Sequence, residues 1–125
     1  MARLLAAYAI SNEDLDALPV RELGAAIGFY VSVLGFALVR RDGPNATVGR
    51  DDVLLGLTLR PDHEPGRAGS LAIEVDELAE LHQELASKGG QPGEFGVDEW
   101  DGRSHRTFFL REAENGYCFC FYRRI

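Results

Sequence analysis

The chain has 125 residues, 46% apolar and 26% charged, which is enough for one domain with its own hydrophobic core. Its net charge of −7 argues against nucleic acid, whose binding rests on basic side chains neutralising phosphates. No apolar run approaches the roughly 20 residues that span a membrane, so a cytoplasmic protein with no membrane partner is expected.

The opening stretch Met1–Tyr8 is faintly signal-like. It runs into Ser11-Asn12-Glu13-Asp14 without a small-residue cleavage pattern, and it reads as part of the folded structure. Leu18-Pro19-Val20 predicts a short strand. A helix follows over about Glu22–Leu34, with Leu23, Ile27, Tyr30, Val31 and Leu34 on one face, and Gly35 stops it. Phe36–Arg40, Ala46–Gly49 and Val53–Leu59 read as a meander of strands turning near Asp42-Gly43-Pro44-Asn45 and at Arg50-Asp51-Asp52.

Arg60–Gly69 holds two prolines, two glycines and four charged residues, and reads as a linker. Beyond it, Ser70–Val75 predicts a strand and Asp76 a helix N-cap. Leu78, Leu81 and Leu85 form the buried stripe of that helix, closed by Lys88-Gly89-Gly90. Gln91–Gly102 is rich in glycine and acid. Strands at Arg106–Arg111 and Tyr117–Arg123 are joined by a turn at Glu114-Asn115-Gly116, where Asn-Gly signals a hairpin.

The chain repeats itself. Leu15–Phe36 laid on Ser70–Gln91, 55 residues on, matches at Ala17/Ala72, Val20/Val75, Glu22/Glu77, Leu23/Leu78, Ser32/Ser87 and Gly35/Gly90. Two copies of one supersecondary unit predict a domain built from equivalent halves, about 15–60 and 69–124, with a ligand between them. The expected class is α+β: two βαβββ modules forming a curved mixed sheet with an open cup.

That order, and the residues, resemble the vicinal oxygen chelate superfamily. Phe29-Tyr30-Val31-Ser32-Val33-Leu34-Gly35-Phe36 resembles the family's "FY…VLGF", and Ser70–Asp76 resembles its fifth strand. Asn115–Phe121 resembles its final turn and strand, although Glu112–Gly116 departs from the usual Asp-Pro-Asp-Gly. Within the superfamily the chain is most similar to the glyoxalase/bleomycin-resistance group. The resemblance implies a metal cup in the enzymes, with His, Gln or Glu ligands on the first, fourth, fifth and eighth strands. Here those positions hold Leu15, the carboxylate-free run Leu54–Leu59, Ser70 and Cys120, which is not a metal-binding set. No metal and no cofactor are expected. His63 and His82 read as surface residues.

Period-two alternation puts Cys118, Cys120 and Tyr122 on one face of the last strand, and Ser70, Ala72 and Glu74 on one face of the fifth. Two cysteines on one face of one strand are badly placed to pair, so reduced thiols in a reducing compartment are expected. Trp100 resembles the aromatic that flanks the ligand groove in bleomycin-resistance-like proteins; simply capping the end of the sheet is its equal alternative. His105 and Arg106 are a candidate acid/base and anion clamp. The candidate ligand-binding set is Phe36, Ser70, Glu74, Trp100, His105, Arg106, Cys118, Cys120 and Tyr122. The leading expectation is metal-free capture of a small aromatic or cationic compound by a homodimer, the dimer being implied by the resemblance. A metal-independent lyase, isomerase or dioxygenase-like enzyme is the alternative, and a subunit that binds another protein is a third.

Overall fold

The computed structural model describes residues 2–11 and 13–125. Two sheets carry the fold. The first has the order β2-β5-β4-β3, built from β2 (Leu18–Val20), β3 (Ala37–Asp42), β4 (Asn45–Arg50) and β5 (Val53–Leu59). The second has the order β1-β6-β9-β8-β7, from β1 (Leu4–Ala9), β6 (Ser70–Val75), β7 (Gly96–Trp100), β8 (Arg103–Arg111) and β9 (Cys118–Arg124). In each sheet one parallel pair, β2 with β5 or β6 with β9, sits beside antiparallel neighbours. The two helices, α1 (Leu23–Ser32) and α2 (Leu78–Ser87), are 55 residues apart at both ends, so the duplication in sequence is a duplication in structure.

The structure adds two strands to the sequence reading. β1 is an extra edge strand, antiparallel to β6, with Tyr8 opposite Ala72. β7 lies inside the glycine- and acid-rich stretch and completes the second module; β8 begins at Arg103, three residues before the expected start. The expected Asn-Gly hairpin is not a two-residue turn. Asn115 is buried in the six-residue connection between β8 and β9, with Gly116 at φ +84 packed so closely that a Cβ there would strike the Pro65 carbonyl. The tight turn is at Asp101-Gly102, whose φ values of +54 and +69 are those of the primed turn that suits strand twist.

α1 buries Leu23, Ala26, Ile27 and Tyr30, while Val31 is 40% exposed. Val31 lies about 80° round the helix from Leu23, at the margin of the inward stripe. α2 buries Leu78, Leu81 and Leu85 as expected. Asp76 does not cap α2. Its carboxylate accepts the backbone N–H groups of Arg3 (2.7 Å) and Glu77 (2.6 Å). The Arg3 bond, more than any other influence, holds that carboxyl below its ordinary range. Here the N-terminal strand has taken the side chain that the helix was expected to use. His63 and His82 are half-buried rather than free on the surface. His63 meets the Asn115 carbonyl at 2.9 Å and stacks on Tyr117, and His82 meets the Gly93 carbonyl at 2.8 Å between Phe95 and Phe108.

Arg50 ties the modules together. Its side chain is 9% exposed and makes a bidentate pair with Glu84 of α2 (2.7 and 2.9 Å), while also donating to the carbonyls of Leu34 and Ala2. A planar guanidinium suits this fork, and its partners satisfy most of the donors that burial would otherwise orphan. Burial alone would raise the Glu84 carboxyl, but hydrogen bonds from Arg50 and Lys88 outweigh it and hold the group low. Among the described residues no helix is long and apolar enough to cross a membrane.

Two predictions follow from these buried groups. Removing Arg50 leaves Glu84 with only Lys88 and strips the Leu34 and Ala2 carbonyls of a donor, so Arg50→Ala should lose about 2 kcal/mol at neutral pH in urea denaturation. Because Glu84 has a lowered carboxyl, that loss should shrink as pH falls below about 4 and the carboxylate takes its proton.

Glu112 has the opposite sign. One of its oxygens accepts from the Asn115 backbone N–H at 2.7 Å; the other has no partner among the described residues, and neither does the buried Tyr30 hydroxyl. Burial pushes the Glu112 carboxyl up despite that hydrogen bond. The folded state therefore loses stability as pH rises above the unfolded carboxyl range of about 4.3. Glu112→Gln should equal or exceed the parent by up to about 1 kcal/mol at pH 8, with the gain gone at pH 4. Melting curves across that range check it, and a variant less stable at every pH contradicts it.

Candidate functional site

β9 divides its side chains by alternation. Phe119 and Phe121 enter the core, while Cys118, Cys120, Tyr122 and Arg124 take the opposite face. Register then fixes their neighbours: Ala72 and Phe109 flank Cys120, Glu74 and Thr107 flank Tyr122, and His105 lies beside Arg124. The primed turn at Asp101-Gly102 sets Trp100 opposite Arg103, and β1 brings Tyr8 over Ala72. These strands enclose a cavity of about 650 Å³, lined by Tyr8, Ile10, Ala72, Trp100, Asp101, Arg103, His105, Cys120, Tyr122 and Arg124. That volume is typical of small-molecule sites.

One wall of the cavity is aromatic. The rings of Trp100 and His105 are parallel to within 1° with centroids 3.6 Å apart, and Tyr122 stands edge-on to both at 5.1 and 5.4 Å. His105 is 3% exposed, and its Nδ1 has no hydrogen-bond partner among the described residues.

The expected site residues are distributed as follows. Trp100, His105, Cys120 and Tyr122 come together in the cavity. Ser70, Glu74 and Cys118 lie on the same sheet face, half-buried and outside its lining. Phe36 is buried in the core edge-on to Tyr30, not in the cup, because the helix end at Gly35 turns it inward. Arg106 is on the other face of β8, its guanidinium 4.4 Å from the Phe95 ring, because it alternates with His105. The sequence reading missed Tyr8, Ile10, Asp101, Arg103 and Arg124 as lining residues. Arg124 continues the Cys118, Cys120, Tyr122 period and becomes legible once the strand is extended by one residue. Tyr8 and Ile10 depend on where β1 docks, which no local pattern announces.

Two titratable groups of the lining hold their protons firmly. Burial pushes the Cys120 thiol up to about 11, with Asp98 and Cys118 adding to it. Burial also pushes the Tyr122 phenol up to about 12, with Glu74 and Tyr8 adding to it. Both stay protonated at neutral pH and neither is an activated nucleophile. Among the described residues no three His, Cys, Asp or Glu side chains converge on a point where a metal would sit. Ser70 lies opposite Cys118, and Ala72 opposite Cys120.

A sequence profile of the glyoxalase/bleomycin resistance protein/dioxygenase superfamily matches residues 10–121. No curated protein matches the chain. Among solved structures, a bleomycin resistance determinant encoded on the transposon Tn5 is 22% identical with a TM-score of 0.76, covering 90% of this chain and 98% of that one. A bleomycin-binding protein complexed with bleomycin is 21% identical with a TM-score of 0.74, at the same coverage. At these identities the two likenesses carry the fold alone. A bleomycin-binding protein from bleomycin-producing Streptomyces verticillus, complexed with copper(II)-bleomycin, is 27% identical with a TM-score of 0.65, covering 86% of this chain and 92% of that one.

A thiol raised to about 11 is almost wholly protonated at neutral pH. In a Cys118→Ser background, Cys120 should therefore react with iodoacetamide at pH 7.5 on the order of a hundredfold more slowly than a free cysteine, and speed up roughly tenfold per pH unit. Fast labelling at pH 7.5 would reveal a thiolate and revive a catalytic role.

Proposed function

The chain belongs to the glyoxalase/bleomycin resistance protein/dioxygenase superfamily, and we propose that it is a metal-free binding protein that captures a small aromatic compound without transforming it. One observation carries this reading: a cavity of about 650 Å³ whose wall is the stacked Trp100–His105 pair with Tyr122 edge-on. Aromatic walls recognise flat ligands by offset and edge contacts worth about 0.5–1.5 kcal/mol each beyond the area they bury. The bleomycin bound by two of the similar structures supports the capture class.

The ligand-binding residues in this reading are Trp100, His105, Cys120 and Tyr122 from the sequence, joined by Tyr8 of β1 and Ile10 just beyond it. Ser70, Glu74 and Cys118 occupy the same sheet face beyond the cavity. A catalytic alternative would rest on His105, whose Nδ1 is without a partner in the cavity. Against it stands the absence of any carboxylate hydrogen-bonded to that ring among the described residues, together with two neighbours, Cys120 and Tyr122, that hold their protons.

The reading includes a homodimer and a cytoplasmic setting, where the free thiols Cys118 and Cys120 stay reduced. The outward face of the first sheet supports the dimer. Val39 and Leu54 are 59% and 62% exposed and sit on either side of Gly49, an apolar surface suited to cover by a second copy.

Native mass spectrometry on protein purified without chelator tests the proposal. The expected result is a dimer mass without metal and, after incubation with bleomycin, an adduct from which the compound is recovered unchanged. A stoichiometric metal, or a chemically altered compound, would overturn it. Leu54→Glu should shift the dimer towards monomer; an unchanged dimer mass would place the interface elsewhere.

A further inference from the structure

The charges at the cavity run against the charge of the chain. Overall the protein carries −7, yet the lining holds two guanidinium groups, Arg103 and Arg124, and one carboxylate, Asp101. Two further carboxylates, Asp98 and Glu74, stand on the same sheet face just outside the lining, near enough to add to the burial that raises the Cys120 thiol and the Tyr122 phenol, and Glu99 takes the other face. Asp98 accepts the Thr107 hydroxyl at 2.7 Å, Glu99 accepts the Ser104 hydroxyl at 3.2 Å, and Glu74 lies across the sheet beside Tyr122, outside the lining. The guanidinium groups of Arg103 and Arg124, like those of Arg21, Arg40, Arg41 and Arg111, make no ion pair and no hydrogen bond with the described residues, so their donors are open to a ligand; what sets them apart is their place in the lining. Register places the two free guanidinium groups beside the aromatic pair: Arg103 opposite Trp100, and Arg124 opposite His105.

Trp100 has one face covered by His105, so what it offers the cavity is its other face and its edge. A flat ring laid there would present its substituents to the arginines, and a planar guanidinium binds carboxylate, sulfonate or phosphate oxygens through two parallel hydrogen bonds. We propose that the cavity takes a flat aromatic compound bearing an anionic group, its ring stacked on Trp100 and its oxyanion held by Arg103 and Arg124. This inference rests on the capture reading above and specifies the ligand class. It also departs from the cationic half of the sequence expectation, which the net charge of −7 and the acids flanking Trp100 suggest. Of those acids Asp101 lines the cavity, Asp98 shares the face of Trp100 but is held by the Thr107 hydroxyl outside the lining, and Glu99 takes the opposite face.

The test is calorimetric titration of the purified protein with three probes of one shape: 2-naphthoate, 2-naphthamide and 2-naphthylmethylammonium. 2-Naphthoate should bind at least tenfold more tightly than the ammonium, with the amide between them, and raising salt from about 20 mM to 0.5 M should erode that preference. Arg103→Gln with Arg124→Gln should abolish it. Arg123→Gln removes one charge on the outward face of the same strand and should leave it intact. If the ammonium probe binds as tightly as 2-naphthoate or more so, the anionic class falls and the aromatic cavity stands. If Arg123→Gln erodes the preference as much as the lining variants, the effect is long-range charge alone and the proposed contact falls. If none of the probes binds, both this inference and the capture reading fail.

Discussion

Everything at the site depends on the alternation of β9. A strand points successive side chains to opposite faces, and this one places Phe119 and Phe121 in the core and Cys120 and Tyr122 in the cavity. β9 lies between β6 and β8, so its register is handed to both neighbours. Ala72 and Phe109 must flank Cys120, and Arg124 must lie beside His105. A one-residue slip would exchange the two faces, sending the phenylalanines into the cavity and the cysteine and tyrosine into the core. The buried aromatics resist this: each large ring removes 150–250 Å² from water, worth several kcal/mol at about 25 cal/mol per Å². The core thus fixes the geometry of the cavity.

The same economy governs the joining of the halves. β1 is held at one end by the Asp76 carboxylate and by the carboxylate of Asp51, which accepts the Leu4 N–H at 2.9 Å. These bonds reach from the turn between β4 and β5 to the end of β6, across both modules, and Arg50 adds its bidentate contact with α2 nearby. What they secure is the strand that carries Tyr8 to the cavity wall. Each bond is modest alone, on the order of 1 kcal/mol net, or more where a charge takes part. Together they make an edge strand that would otherwise fray into a fixed part of the site.

Much of this was legible in the sequence. The helices, the repeat and the closing strand follow from spacing, and the cup face of β9 follows from period two. The resemblance carried by Phe29–Phe36 and Asn115–Phe121 led to the family matched over residues 10–121. What escaped depended on partners distant in sequence. Asp76 has the composition of an N-cap but serves the backbone of Arg3, 73 residues away. Asn115-Gly116 carries the hairpin signal, yet packing against Pro65 and the Glu112 carboxylate draws it into a longer buried connection, and Asp101-Gly102 makes the tight turn instead. The cavity's charge was hidden for the same reason: four residues from Asp98 to Asp101 hold three acids, and only the pairing of β7 and its turn set Asp101 in the lining, Asp98 against Thr107 and Glu99 on the other face.

The central claim is that the face of the second sheet bearing Cys120 and Tyr122 is the binding surface. Chemical-shift mapping of ¹⁵N-labelled protein during titration with 2-naphthoate tests it most directly. Shifts are expected at the Trp100 indole N–H and along the backbone of β7, β8, β9 and Tyr8, with β3 and β4 unmoved. Shifts confined to the first sheet, or to the helices, would contradict it.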